Sequence, residues 1–320
     1  MTTRPPETPR NGVVIVGSIT ADVTTFSQRL PRRGETILGE QFSLLLGGKG
    51  ANQAVASALA GTASFMVGCV GNDLFRDLVQ GGLRDHGVDL SALRVVDAPT
   101  GIAHIRVDAS GENDIVMVPL ANNELGIEQI DQAMSDLAPR ASVLLTQLEI
   151  PRDKAIYAMR AGRSAGLTVI LDPAPAADLP EDAWKYVDYV TPNETEASLI
   201  TGLEVADPES AVAAGQWFLA RGVGNAVITM AAGGAMLVTG DRVVHFPAHQ
   251  VDAVDTTAAG DAFSGYLGAS LAAGMSIDDA IARAMAAGAL AVTRHGASPS
   301  LPSAQDVEEF LRENHQRTSS

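Results

Sequence analysis

Short apolar runs rich in β-branched residues alternate with longer segments of helical periodicity along most of the chain. The first run, Val13-Val14-Ile15-Val16-Gly17, follows the turn signal Asn11-Gly12 and shows no polar alternation. A continuous apolar strand of that kind is buried on both faces, as in a parallel sheet. Further strands are predicted at Ser64 to Val67, Val143 to Leu145, Thr168 to Leu171, Tyr189-Val190 and Ala226 to Met230. Helical patterns fall at about Ala51 to Ala60, Asp73 to His86, Ile127 to Leu137, Arg152 to Ala165, Glu194 to Thr201 and Glu209 to Arg221. Near the end, Ala258 to Ala273 and Ile277 to Arg294 read as long helices whose Ala and Gly content favours close packing. This alternation predicts an α/β fold of βαβ units, with right-handed crossovers and helices on both sheet faces.

Some segments break the rhythm. Val23 to Phe26, Thr36 to Leu46, Ile102 to Val107 and Ile115 to Val118 read as strands joined by turns, with Ser110-Gly111 and Glu112-Asn113 turning between the last two. Phe42, Leu44 and Leu46 share one face by alternation, as do Ala103, Ile105 and Val107. They predict a small antiparallel sheet projecting from the main one, drawn from about 20–47 and 101–119. It is either a lid over a site or an edge extension with no functional motion.

Composition narrows the class. The chain has 320 residues, and a prior of about 150 per domain allows two domains, yet α/β folds often exceed that as one unit. The reading is one domain over 11–312, between a disordered Pro-, Thr- and Arg-rich tail at 1–10 and a flexible tail at 313–320. Hydrophobic residues make up 46%, but no run of 18 apolar residues occurs without interruption, which argues against a transmembrane helix. The first ten residues lack the apolar core of a secretory signal, and Cys69 is the only cysteine, so the expected location is cytoplasmic. A formal net charge of −16 disfavours nucleic acid and anionic membranes as partners. It leaves small phosphate ligands open, because backbone N–H groups at a helix start hold them whatever the total charge.

The strongest chemical signal is Asp255-Thr256-Thr257-Ala258-Ala259-Gly260-Asp261-Ala262-Phe263-Ser264-Gly265. Small residues ahead of a helix let an anion reach the first N–H groups, which lack internal partners and carry the positive end of the dipole. Such a hole suits charge developing on a transferring phosphoryl group, and Asp261 beside it can take the proton of an attacking hydroxyl. The competing reading is a helix cap with a structural Asp. A second signal is Gly47-Gly48-Lys49-Gly50-Ala51-Asn52-Gln53, where glycines allow close backbone approach and Asn52 suits sugar hydroxyls. It lacks P-loop spacing, and an ordinary glycine turn into a helix is its plain alternative. In Thr191-Pro192-Asn193-Glu194-Thr195-Glu196, Asn193 and Glu196 share a helix face and either hold Mg²⁺ through water or form a cap, or both. Asp22, closing Gly17-Ser18-Ile19-Thr20-Ala21-Asp22, is a sugar-hydroxyl acceptor or a turn Asp.

Taken together, these pieces resemble the ribokinase branch of the PfkB carbohydrate kinase family, in order and over about Val13 to Phe310. Gln147-Leu148-Glu149, Asp172-Pro173-Ala174-Pro175-Ala176 and Ala291-Val292-Thr293-Arg294-His295-Gly296-Ala297 complete the match. The resemblance implies a Rossmann-like three-layer αβα sandwich with a β lid, and transfer of the ATP γ-phosphoryl group to a pentose hydroxymethyl, D-ribose first. It implies Asp261 as base, with Ala258, Ala259 and Gly260 as the anion hole. Thr20, Asp22, Gly48, Lys49, Asn52 and Glu149 match the sugar site. Asn193 and Glu196 match the Mg²⁺ and phosphate positions, and Thr229, Gly234 and Gly260 the nucleotide positions. Asp255, Thr257, Ala291, Arg294, Gly296 and Ser300 match a loop for a monovalent cation, K⁺. A homodimer through the apolar lid strands is expected by the same likeness, since an exposed sheet edge invites pairing.

The chain departs from ribokinases at Thr20, where they carry Asn, and at Leu120-Ala121-Asn122-Asn123, which replaces a glycine-rich segment. It departs also at His104, expected to face away from Ala103 and Ile105, and at Ala231-Ala232-Gly233 beside the nucleotide. Thr20 keeps another pentose, a deoxypentose, a polyol or a nucleoside open as substrate. A nicotinamide dehydrogenase is disfavoured because no Gly-x-Gly-x-x-Gly follows the first strand. A sugar-binding regulator is disfavoured by the intact Asp261, Asn193 and Glu196.

Overall fold

The computed structural model describes residues 10–110 and 113–318. Strand β1 (Gly12–Val16) is wholly buried and opens the main sheet. The chain leaves it for β2 (Thr20–Phe26) and β3 (Gln41–Gly47), then returns through α1 (Lys49–Leu59), β4 (Ser64–Gly71), α2 (Arg76–Asp85) and β5 (Leu93–Val96). It departs again for β6 (Gly101–Val107) and β7 (Asn113–Val118). From there α3 (Ile127–Leu137), β8 (Ala141–Thr146), α4 (Arg152–Ser164), β9 (Thr168–Leu171) and β10 (Tyr189–Val190) alternate. The rest is α5 (Glu194–Thr201), α6 (Pro208–Leu219), β11 (Asn225–Thr229), β12 (Ala235–Val238), β13 (Val243–Phe246), α7 (Ala259–Ala272), α8 (Ile277–Ala291) and α9 (Ala304–Thr318).

The main sheet runs β13-β12-β11-β10-β9-β8-β1-β4-β5, parallel from β11 to β5 and antiparallel at β12 and β13. Successive residues of β1 feed opposite faces. Val14 and Val16 join a core with Ile130, Met159 and Phe218 of α3, α4 and α6. Val13 and Ile15 join another with Val55, Leu83, Tyr266 and Ile281 of α1, α2, α7 and α8. The sheet is thus the middle of an αβα sandwich, as its unbroken apolar strands require.

The small sheet has the order β3-β2-β6-β7. Its outer pairs are antiparallel, but β2 and β6 run parallel. The expected purely antiparallel lid is therefore a mixed sheet: both strands leave the same end of the main sheet in the same direction, from β1 and after β5. β3 starts at Gln41, later than expected, and the turn residues 111–112 lie outside the described residues. The alternation of Phe42, Leu44 and Leu46 holds: Leu46 is buried beside Gly82 of α2, and Phe42 is exposed.

Three strands were not legible in the sequence: β5, β12 and β13 are short, and only β12 is fully buried. Helix α9 runs to Thr318, so the tail expected to be flexible from 313 is helical over 313–318. Of the expected N-terminal tail, residues 1–9 lie outside the described residues, while Arg10 is anchored. Its Nε donates to the carbonyls of Ala138 and Ala141, and Nη2 to that of Ala165.

Candidate active site

Parallel sheets offer a crevice beyond the C-terminal ends of their strands, at the point where successive connections diverge. Here β1 lies between β4 and β8, and the chemical motifs follow strand ends on that side. Gly17 and Ser18 follow β1, Gln147 to Glu149 follow β8, Asp172 follows β9, Asn193 follows β10, and Thr229 ends β11. Lys49 and Asn52 open α1, and Asp261 lies in the first turn of α7.

Close packing of α1 on α7 brings the last three together. A Cβ on Gly265 would fall 2.5 Å from the Ala56 Cβ and 2.8 Å from the Gln53 carbonyl, so only glycine allows this approach. One turn earlier, Asp261 is 5% exposed and accepts from Asn52 Nδ2 at 2.9 Å and Gln53 Nε2 at 3.1 Å. Lys49 Nζ stands 3.8 Å from carboxylate oxygens of both Asp261 and Asp172. Asn52 Oδ1 is buried without a partner, an acceptor left for an incoming donor.

The glycine turn adds a second wall. Gly48 has φ of 90°, and a Cβ on Gly47 would lie 2.1 Å from the Asp22 carboxylate. Asp22 Oδ1 accepts from the Thr20 hydroxyl at 2.7 Å. Burial pushes the Asp22 carboxyl up to about 6, against the Thr20 bond, with Glu149 and Asp261 adding to the rise. Glu149 Oε2 accepts from Ser18 Oγ at 2.6 Å and from Lys49 N at 2.9 Å, tying the β8 end to the turn. Burial likewise pushes Asp172 upward, against the pull of the Lys49 ammonium. For Lys49 burial works downward, and the carboxylates of Asp172, Asp261, Glu149 and Glu196 reverse it, holding the ammonium charged.

The opposite rim is built from backbone. Ala258 sits at the N-cap of α7 with φ of 61°, and no side chain caps this end. Gly260 is exposed, with open space where a Cβ would be. An N-terminus left open in this way fits a phosphate. At α5, Asn193 and Glu196 form a capping box: Glu196 N donates to Asn193 Oδ1 at 2.8 Å and Asn193 N to Glu196 Oε2 at 3.0 Å. The cap reading therefore holds. The negative charge of Glu196 still adds to the upward push on Lys49 and Asp172. Thr229 pairs with Asn193 through an isolated bridge, and Gly234, φ 89°, closes the adjoining turn, where a Cβ would meet the Phe246 carbonyl at 2.0 Å.

The loop matched to a monovalent cation is gathered behind α7. Asp255 Oδ1 accepts from Thr257 N and Oγ1, and Oδ2 from Gly296 N at 2.9 Å. Burial opposes these bonds, which still bring Asp255 below the usual carboxylate range. The Ala291 carbonyl accepts from Arg294 N, the Arg294 side chain turns to Asp306, and Ser300 Oγ donates to the Ala297 carbonyl. Among the described residues, no cluster of His, Cys, Asp and Glu has metal-ligand geometry.

Sequence reasoning gave no role to Gln53, Asp172, Gln147, Ser18 or Asn122. Asn122 is 1% exposed; its Oδ1 accepts from Ile19 N, and its Nδ2 donates to the Ile19 and Pro119 carbonyls, fixing the approach to β2. His104 is exposed on the face opposite Ala103, as alternation predicts.

A mostly parallel sheet with charged side chains gathered beyond its strand ends, and a buried Asp in the first turn of a helix that no side chain caps, is the frame of a sugar phosphotransferase. The model of the pfkB family carbohydrate kinases matches residues 10–304, and the chain belongs to that family. It is 37% identical to the ribokinase of Haemophilus influenzae over 303 residues, covering 94% of this chain and 99% of that protein. It is 35% identical to the deoxyribokinase of Salmonella typhimurium over 306 residues, with coverage of 94% and 99%. The structure of Arabidopsis thaliana ribokinase complexed with ribose and ATP superposes with a TM-score of 0.86 at 31% identity, covering 94% and 99% of the two chains.

Proposed function

We propose that the chain transfers the γ-phosphoryl group of ATP to the primary hydroxyl of D-ribose. The observation that carries this reading is Asp261, buried at the open start of α7 and held by Asn52 and Lys49 from the glycine turn. The likeness to ribokinases adds support. Bound Mg²⁺-ATP would supply the transferable group, and Asn193 and Glu196 would hold the ion through water.

Asp22, Asn52, Lys49 and Glu149 then orient the sugar, so that its hydroxymethyl oxygen faces Asp261. The unpartnered Asn52 Oδ1 accepts a sugar hydroxyl. Asp261 takes the hydroxyl proton as the oxygen attacks phosphorus, and the P–O bond to ADP breaks. The N–H groups of Ala258, Ala259 and Gly260 would stabilise charge on the phosphoryl oxygens, Ala259 N giving up its long 3.4 Å bond to the Thr256 carbonyl, and positioning supplies most of the acceleration. K⁺ in the Asp255–Gly296 loop would brace the α7 start through its carbonyls. The enzyme works in the cytoplasm as a homodimer. A second copy covers the lid face that exposes Phe42, Val116 and Val118, at 64%, 61% and 42%.

The test is ADP release with Mg²⁺-ATP across D-ribose, 2-deoxy-D-ribose, other pentoses, polyols and nucleosides. D-Ribose is expected to give the highest kcat/KM. A higher value for 2-deoxy-D-ribose transfers the reading to that sugar. No sugar-dependent release ends it.

A further inference from the structure

Asp172 opens a motif that the reaction described above does not use. It is 4% exposed at the C-terminal end of β9. Its Oδ2 accepts from Gln53 Nε2 at 2.7 Å and lies 3.8 Å from Lys49 Nζ. The same donors serve Asp261 Oδ1, at 3.1 Å and 3.8 Å. Gln53 Oε1 accepts from Gln147 Nε2 at 2.5 Å, which turns the Gln53 nitrogen toward the two carboxylates. Gln53 and Gln147 are both 0% exposed. Gly17 makes room for this: a Cβ there would fall 2.0 Å from Gln147 Oε1.

Burying a carboxylate is costly unless it is paired and hydrogen-bonded, and the cost is lower for an apolar side chain. A carboxylate that served packing alone would hold donors of its own. The donors recorded for Asp172 are both shared with Asp261. The sharing constrains Asp261: a swing of its Oδ1 would break the bond to Gln53 Nε2, and Gln53 is held in place by Asp172 and Gln147.

We propose that Asp172 is a positioning residue for the phosphoryl transfer, holding Gln53 and Lys49 against Asp261 so that the carboxylate meets the sugar hydroxyl in one direction. The proposal rests on the reading of Asp261 as the base. It makes Gln147–Gln53–Asp172 a rigid support beneath the reacting atoms, with no direct contact to the sugar.

The test is steady-state kinetics of Asp172→Asn and Gln53→Met with D-ribose and ATP, alongside thermal melting. Loss of orientation is expected to lower kcat about 10- to 100-fold while ribose KM stays within about threefold. The double variant should lose little more than the worse single one, since both cut the same link. If Asp172→Asn does not fold, Gln53→Met carries the test alone. A folded variant with kcat within about twofold of wild type, or with its whole loss in ribose KM, overturns the proposal. Asp261→Asn assayed in parallel separates the two levels. An active Asp261→Asn sinks the base, whereas an inactive one beside a fully active Asp172→Asn sinks only the support.

Discussion

The two sides of the cleft are built from different material. On the proposed sugar side, Asp22, Asn52, Asp172 and Asp261 are buried side chains, none more than 8% exposed; Thr20 holds Asp22, Asn52 bonds Asp261, and Gln53 and Lys49 bridge Asp172 to Asp261. On the nucleotide side, Asn193 and Gly260 are exposed, and the donors are peptide nitrogens at the uncapped start of α7. Side chains fixed in a low-dielectric floor discriminate among neutral polyols by the direction of each hydrogen bond. Backbone N–H groups at a helix start hold an anion well and read little else about it. The sugar side should therefore respond sharply to small substitutions, and the nucleotide side mildly.

Apart from the base itself, the largest effect is expected at Gly47. A Cβ there falls 2.1 Å from the Asp22 carboxylate, so Gly47→Ala must push that acceptor away. A loss of about 100-fold in kcat/KM for the sugar is expected, with ATP KM little changed. An equal loss for ATP would erase the contrast between the sides.

Next in size is a pH effect. The proposed role of Asp22, accepting sugar hydroxyls, needs the anion, and burial raises its carboxyl to about 6. The kcat/KM for the sugar should fall about tenfold per pH unit below that value, and Asp22→Asn should lose this limb together with sugar affinity. The folded-state value lies above the ordinary 3.8, so the contribution of Asp22 to stability is full below 3.8 and lost as pH rises through about 6. Asp22→Asn should thus melt no lower than wild type at pH 7, which differential scanning calorimetry checks.

On the other side, Glu196→Gln is expected to lower kcat about tenfold and to raise the Mg²⁺ needed for half-maximal rate. Replacing K⁺ by Na⁺ should slow turnover severalfold if carbonyls around Asp255 brace the anion hole; equal rates would remove the cation from the account. Smallest of all, Asn193→Ala removes the capping box of α5 and should cost about 1 kcal/mol of stability in denaturant unfolding.

Much of this contrast could be read in the sequence, for physical reasons. β1, β9 and β10 declare themselves because buried parallel strands are continuously apolar, and the Gly47–Gly50 turn because glycine marks close backbone approach. Asp172 and Gln53 remained without roles because their meaning lies in contacts with Lys49, Asp261 and Gln147, which strand order brings together across 94 to 208 positions. The parallel pairing of β2 with β6 was hidden too: alternation fixes which face a residue takes and says nothing of direction. Helix α9 is mostly polar, and its packing beside α8 is what marks it as part of the body.

The most direct measurement is the rate of γ-phosphoryl transfer in a single turnover, for wild type and Asp261→Asn, with ribose affinity measured by calorimetry on the same samples. Asn matches Asp in shape and cannot accept the proton. Transfer should slow about 10³-fold while affinity stays within about fivefold. Transfer within about threefold of wild type would contradict the assignment and leave Asp261 as a structural residue at the head of α7.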